Sequence, residues 1–470
     1  MASEKKLVLG IDIGTTSIKV CVVDLHSKEV LSKQSKDTQA NVPSELGYEG
    51  NKQDVPKIIS ALNSCVSRLP KDQLKEVTHI GICGQMHGVM LWCNEEGNTA
   101  WECSETYTGC RFDVAASKVS ALYTWQDSRC EPAFLSTLPE PCSHLKIVSG
   151  YGCATLFWIA RHKPEKFERF NCIGTIQDFA VTMLCNLKKP IMSVQNASMW
   201  GYFNTTSSEW NMDILQESGF PTHLLPEIVK SGENAGVLAQ SWYGIPAGTT
   251  VGAALGDLPC SVLATLERET DAVLIISTSA QLAFVMPPNF EPVKKEGKET
   301  VIYFPYFGGR YLAVAAALNG GNALATFVKT LQQWCLELGF SVPQSKIWDK
   351  VLVLGADDSA VTSLQIEPTL IGERHAPVQN ASVSNIDLGN LGLGQVFRAL
   401  CSGIIHNVHS MMPRDILVDS QINRILGVGS ALTRNKVLQA EVKSWYQLPI
   451  DFVSGGDAAV GAALSVNHGY

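Results

Sequence analysis

The sequence has no run of about 18 apolar residues, so no membrane-spanning helix is expected. Its 14 cysteines (Cys21, Cys65, Cys83, Cys93 and onward) include no Cys-x-x-Cys pair and no Cys/His spacing of a zinc site. They read as reduced, mostly buried thiols of a cytoplasmic protein. Basic excess is also missing: 37 Lys and Arg against 45 Asp and Glu leave a net charge of -8, which argues against nucleic acid as the main partner. The opening "MASEKK" lacks the apolar core of a signal peptide, so the sequons at Asn196, Asn204 and Asn380 read as chance matches. No low-complexity linker interrupts the 470 residues, a length about three times that of a usual domain. Two closely packed domains around a cleft are expected, residues 1–250 and 251–470, with the boundary in "IPAGTTVGAALGD".

What is present is patterned. "KLVLGIDI", "SIKVCVVDL" and "EVLSKQS" read as three strands joined by tight turns. "DVPKIISALNSCVSRL" reads as a helix: Asp54 is a candidate N-cap, Pro56 sits in the first turn, and Ile58, Ile59, Leu62, Cys65, Val66 and Leu69 share a face. "VTHIGICG" is the next strand, so the chain opens βββαβ, a mixed sheet with helices on its faces. The opening recurs in "DAVLIISTSAQLAFVM", where Ser277-Thr278-Ser279 is the turn. Laying Thr15 on Thr278 puts Ile275 level with Asp12, so the halves read as duplicates of which only the first keeps the acid. Further on, "LNGGNALATFVKTLQQWCLEL" and "GLGQVFRALCSGIIHNVHSMM" read as helices, "INRILGVGSALTRNKVLQAEVKSW" as strand, loop and helix, and "DAAVGAALSV" as a small-residue helix.

"DIGTTS" (Asp12–Ser17) admits two readings. It is a plain hairpin turn, or a loop whose N–H groups and hydroxyls hold anionic oxygens. In the second reading Asp12 takes Mg²⁺, which favours one or two carboxylates plus phosphate oxygens, and Lys19 adds positive charge. Gly320 and Gly321 in "LNGGN", and Gly429 and Ser430 in "GVGSALTRN", stand ahead of helices, where a phosphate or adenosine can approach the backbone closely. Asp257 in "ALGDLPCSV" is either a base that takes a proton from a hydroxyl or a helix N-cap. His87 in "GQMHG" can bond a hydroxyl-rich ligand at a strand end, or be structural. "TWQDSR" offers a ligand-binding face, or a core tryptophan beside an Asp127–Arg129 surface pair worth little. His406 and His409 lie one helical turn apart with no third ligand, and no function is assigned to them.

Taken in order, "GIDIGTTSIK", "GQMHG", "WQDSR", Gly256-Asp257, "STS", "LNGG", "PTLIGERHAP" and "GVGSALTRN" resemble the FGGY family of carbohydrate kinases, within the actin/hexokinase/heat-shock-chaperone ATPase superfamily. The resemblance covers essentially the whole chain. It implies an α/β fold of two ribonuclease-H-like domains, mixed sheets flanked by helices, with ATP and sugar in the cleft between them. It also implies roles. Asp257 would be the catalytic base and a sugar contact. Asp12 would be the Mg²⁺-associated acid. Gly14, Thr15, Thr16 and Lys19 would serve the first phosphate loop and Thr278 the second. Gly320 and Gly321 would form a nucleotide-side turn, with Gly429, Ser430 and Asn435 on the adenosine side. Met86, His87, Trp125 and Asp127 would face the sugar. The finer matches "GYGCATLFWI", "QNASMWGYFN", "GFPTHLLPEI" and "YFPYF" imply sedoheptulose as acceptor, phosphorylated at its terminal primary hydroxyl; xylulose, ribulose or another polyol is the alternative.

Three positions depart from the family pattern. Ser430 stands where many relatives have Gly. Leu258 follows the base where several have Asn or Gln. "CATLFW" lacks the usual Lys near residue 155, which leaves the sugar contacts less defined than the chemistry. A nucleotide-driven switch of the chaperone or actin kind is the rival reading; a candidate base and the lack of a peptide-binding domain speak against it. The expected partners are the ketose and ATP alone, without nucleic acid or membrane, in a monomer or homodimer.

Overall fold

Leu7–Ile13 forms β1, a strand buried along its whole length, in a computed structural model that describes residues 6–47, 50–294, 297 and 299–466. Met1–Lys5 of the polar opening lie outside the described residues. β2 (Ser17–Asp24) folds back antiparallel with Asp12 opposite Lys19, and β3 (Glu29–Asp37) pairs with β2. α1 (Val55–Ser67) follows. The Asp54 side chain caps it by accepting the Lys57 N–H at 2.9 Å, and Ile58, Ile59, Leu62, Cys65 and Val66 are buried. Burial of each large aliphatic side chain on that face contributes about 1.5–3 kcal/mol. β4 (Val77–Gly84) then pairs parallel with β1, Cys83 opposite Asp12, and completes the βββαβ order. α2 (Gly152–His162) and α3 (Ile176–Cys185) belong to a long insertion after β4, much of it around a separate core with Phe157, Trp200 and Tyr202.

The first sheet gains β5 (Asn234–Val237), β6 (Thr250–Gly252) and β7 (Leu255–Gly256), giving β5-β6-β4-β1-β2-β3 with β7 also on β4. It therefore runs to Gly256, and a division between residues 250 and 251 passes through β6. The second sheet has the order β10-β11-β9-β8-β12-β13, from β8 (Asp271–Ile276), β9 (Ala280–Val285), β10 (Val301–Pro305), β11 (Tyr311–Ala317), β12 (Arg424–Val428) and β13 (Ile450–Phe452). Here Ile275 lies opposite Gln281 on β9 and Val428 on β12. The strand order and directions of β2-β1-β4 recur in β9-β8-β12, with Ile275 at the level of the acid and the second hairpin one residue shorter than the first.

α4 (Asp257–Thr265) leaves β7 directly and leads into the second sheet. α5 (Gly321–Glu337), α6 (Gln344–Ala356), α7 (Leu393–Met411) and α8 (Lys436–Tyr446) join that sheet's core, with Leu324, Val351, Phe397, Ile404 and Leu438 inside. After β13 the chain returns as α9 (Ala458–Ser465), which packs on β1, β4 and α4. Its small residues matter because the approach is close. A Cβ on Gly10 would lie 1.9 Å from the Ala459 carbonyl oxygen, and one on Gly81 equally near that of Ala462. All 14 cysteines are unpaired with one another. Among the described residues no helix is long and apolar enough to cross a membrane.

Candidate active site

A cavity of about 1290 Å³ opens between the two sheets, and both turn loops face it. In the first loop, the Gly14 N–H closes the turn on the Ser17 carbonyl at 3.1 Å, and a Cβ on Gly14 would lie 2.9 Å from that oxygen. The carbonyls of Thr15 and Thr16 are drawn away by the Gln53 amide (2.6 Å) and the Thr38 N–H (2.9 Å). Across a trans peptide the following N–H points the opposite way, so the Thr16 N–H is turned from the Gln53 amide. In the second loop, Gly321 and Asn322 donate their N–H groups to the Ser277 and Thr278 carbonyls at 3.0 and 2.9 Å. Glycine is required there: a Cβ on Gly321 would meet Ser277 oxygen at 2.1 Å, and one on Gly320 the Ser279 backbone at 2.5 Å.

Aspartates dominate the electrostatics. Asp12 is buried, and Lys19 lies 3.5 Å from its Oδ2. Burial pushes the Asp12 carboxyl up to about 6, Lys19 opposes that, and Asp457 reinforces it. For Lys19 burial disfavours the charge, but Asp12 and Asp457 outweigh it and hold the ammonium above its ordinary value. Asp257 is the first residue of α4; Gly256, not Asp257, is the N-cap. Its Oδ1 accepts the Leu258 N–H at 2.8 Å. Burial, then the charge of Asp12, pushes its carboxyl up to about 7. Such displacement in a cleft marks candidates for proton chemistry. Asp12 Oδ1 is buried without a hydrogen-bond partner, an acceptor suited to a cation. No group of three His, Cys, Asp or Glu among the described residues is arranged to hold a metal alone. A Mg²⁺ ion at Asp12 would therefore draw its other ligands from phosphate and water, as this ion usually does.

On the other flank, Met86, His87 and Trp125 line the cavity. A Cβ on Gly256 would lie 2.8 Å from Met86 Sδ, so Met86 packs beside the Asp257 helix start. His87 has φ 75°, unusual for a residue with a side chain, and stacks on Tyr151 at 4.7 Å between ring centroids. Its Nδ1 lies 3.2 Å from the Met199 carbonyl, which only accepts, so Nδ1 carries the proton and Nε2 is left as an acceptor. Burial, then the positive charge of Arg374, holds His87 well below the usual imidazole range and so neutral. The Trp125 indole N–H is taken by Thr15 Oγ1 at 3.0 Å, so Trp125 offers its ring face rather than a donor.

The cavity thus gathers Asp12, Gly14, Thr15, Thr16, Lys19, Met86, His87, Trp125, Asp257, Thr278, Gly321, Gly429, Ser430 and Asn435. Gly320 and Asp127 are not on its wall. Asp127 is buried under a bidentate pair with Arg129, at 2.6 and 2.9 Å, and also accepts the Asn51 N–H. The surface pair offered as the alternative reading is instead a core pair, and both Asp127 carboxylate oxygens are engaged by Arg129. Asn435 caps α8 through its side-chain oxygen and reaches Cys401 with its amide, so its polar atoms are engaged. Gly429 has φ +98°, and a Cβ there would lie 2.3 Å from Ile276 oxygen. Asp457 and Arg374 were missed from sequence; both line the cavity. Asp457 follows Gly456 just ahead of a helix, and the same Gly-Asp pair stands at a helix start in Gly256-Asp257, so that signal was available.

Residues 7–264 match the N-terminal domain of the FGGY family of carbohydrate kinases. The chain is 46% identical over 471 residues to a sedoheptulokinase of Mus musculus, covering 99% of this chain and 98% of the relative. It is 46% identical over 469 residues to a sedoheptulokinase of Homo sapiens, covering 98% and 97%. The crystal structure of xylulose kinase from Rhodospirillum rubrum is similar with a TM-score of 0.76, 18% identity, and coverage of 98% of this chain and 89% of that one. At that identity the likeness concerns the fold.

Proposed function

The chain belongs to the FGGY family of carbohydrate kinases, and from that premise we propose that it phosphorylates the terminal primary hydroxyl of sedoheptulose to give the 7-phosphate. That it is an ATP-using sugar kinase of the actin/hexokinase-type fold follows from the family and the fold. The choice of sedoheptulose rests on one observation, the 46% identity along nearly the whole chain to two relatives of that name.

In this reading the two turn loops receive the phosphates from opposite walls, and the sugar lies along Met86, His87 and Trp125. Asp257, oriented by the Leu258 N–H, holds the acceptor hydroxyl and takes its proton late, as the bond to phosphorus forms. His87, neutral, accepts a second sugar hydroxyl at Nε2. Lys19 and the Thr16 amide face developing charge on the phosphates. Mg²⁺, held at Asp12 together with the nucleotide, would neutralise phosphate charge. The negative charge of Asp457, at the start of α9, favours the neutral form of the Asp12 carboxyl and the charged form of the Lys19 ammonium.

Steady-state assays with ATP, Mg²⁺ and a panel of ketoses and polyols, with the product identified by mass, test the substrate. Sedoheptulose is expected to give the highest kcat/KM. A higher value for xylulose, ribulose or glycerol would replace it, and ATP consumption that needs no acceptor would favour the switch reading.

A further inference from the structure

Three cations line the cavity, and their surroundings differ. Lys19 is paired with Asp12, and Arg434 is exposed. Arg374 is only half-exposed, and among the described residues no carboxylate lies within ion-pair distance of its guanidinium. It lies over an aromatic face instead, with Cζ 5.9 Å from the Tyr151 ring centroid. Taking a guanidinium partly out of water without an acceptor is unfavourable. Arg129 shows the usual solution in the same chain, bidentate on Asp127 and laid over Tyr123 and Trp158.

The backbone that presents Arg374 is firmly held. Its neighbour Glu373 is buried and accepts from Leu318 N–H (2.7 Å), Asn319 Nδ2 (2.9 Å) and Asn407 Nδ2 (2.8 Å). Asn319 also donates to the Gly372 carbonyl at 2.8 Å. Arg374 is thus projected from a fixed point of the second half toward the His87–Tyr151 stack of the first. Contacts outward from the phosphoryl-transfer point run from Asp257 and Gly256 to Met86, then His87, then Tyr151, then Arg374. Along that path Asp257 and His87 Nε2 are acceptors. A sugar needs donors as well, above all at a carbonyl oxygen, which only accepts.

We propose that Arg374 is a specificity-determining residue that donates hydrogen bonds to sugar oxygens remote from the hydroxyl receiving phosphate, closing the sugar site from the second half of the chain. This rests on the reading of the cavity as a sugar-kinase site. It requires no particular ketose.

The test compares wild type with Arg374→Met and Arg374→Lys, using whichever acceptor of the panel the wild type turns over best. Losing sedoheptulose as the preferred acceptor therefore leaves this test intact. Arg374→Met is expected to raise the acceptor KM about 10- to 100-fold, the range of a charge-assisted hydrogen bond, with kcat and the KM for ATP unchanged. Arg374→Lys is expected to recover part of the loss. Calorimetric titration with the acceptor alone should show the same weakening. An acceptor KM equal to wild type in both variants overturns the proposal. So does a KM for ATP that rises in step, which would put the guanidinium on the phosphates. Should Arg374→Met fail to fold by urea unfolding, Arg374→Lys decides alone: its acceptor KM must rise while its stability matches wild type.

Discussion

At Asp257, burial and the nearby Asp12 charge both favour the neutral carboxyl, while a proton acceptor must be charged. Asp257→Asn is expected to lower kcat about 10²–10⁴-fold with nucleotide binding kept, since the variant removes the proposed base and keeps an oxygen for the Leu258 N–H. Nucleotide titration and turnover together check this. Titration adds a second readout. The carboxyl rises from 3.8 to about 7 on folding, so the native state holds its proton more tightly than the unfolded chain. Its contribution to stability is therefore present at low pH and is lost as pH rises from about 4 to about 7. Activity runs the other way: kcat/KM for the sugar should fall as pH drops below about 7. Urea unfolding should show Asp257→Asn gaining on wild type between pH 5 and pH 8, and an unchanged difference would exclude this titration. Part of the site was legible because small-residue turns and isolated acids stand out against apolar strands, as at Asp12 and Asp257. Arg374 lies in "PTLIGERHAP", which carries the resemblance but gives the arginine no role, because the loop has no periodicity and the Tyr151 ring it faces is distant in sequence. The alternative of a surface pair at Asp127 fails because spacing alone cannot tell a surface pair from a core pair.

Strands and helices show the same division. β1, β2, β4 and α1 announce themselves by alternation or by a 3.6-residue apolar stripe, and they form where expected. β5, β6 and β7 hold two to four residues each and carry no such pattern. Only their hydrogen bonding to neighbours makes them strands, so the first sheet's true extent was hidden. α9 was legible as a small-residue helix, but not its destination. Its seat explains the composition: Gly10, Gly81 and Gly461 each bring backbone within 1.9 Å of where a Cβ would stand. Gly10→Ala must push α9 off β1. Overpacking of this kind typically costs about 1–3 kcal/mol. Because Asp457 immediately precedes α9 and faces Asp12, turnover should fall with stability. Urea midpoints at unchanged m-value, with kcat measured well below the transition, check both. A variant with wild-type stability would mean that the sheet and helix yield without loss.

The chain crosses between the halves twice, once entering α4 and once entering α9, and each crossing places an aspartate at the cavity: Asp257 opens α4 and Asp457 caps α9. The two helices pack against each other, with a Cβ on Gly461 only 1.9 Å from the Cys260 oxygen. They form a common bearing, while the two turn loops and Arg374 sit on the walls that it joins. Rotation of one sheet against the other about this pair would bring Arg374 and the second loop toward the first loop without breaking either core. Such closure would exclude water from the phosphates until the sugar is in place. A compact chain of 470 residues has a radius of gyration of about 23 Å. X-ray scattering should show that radius falling when acceptor and a non-hydrolysable ATP analogue are added together, and falling less with either alone. Hydrolysis of ATP without acceptor should stay far below turnover with it. If the radius is constant and hydrolysis without acceptor is fast, the bearing does not move, and water exclusion must come from the loops alone.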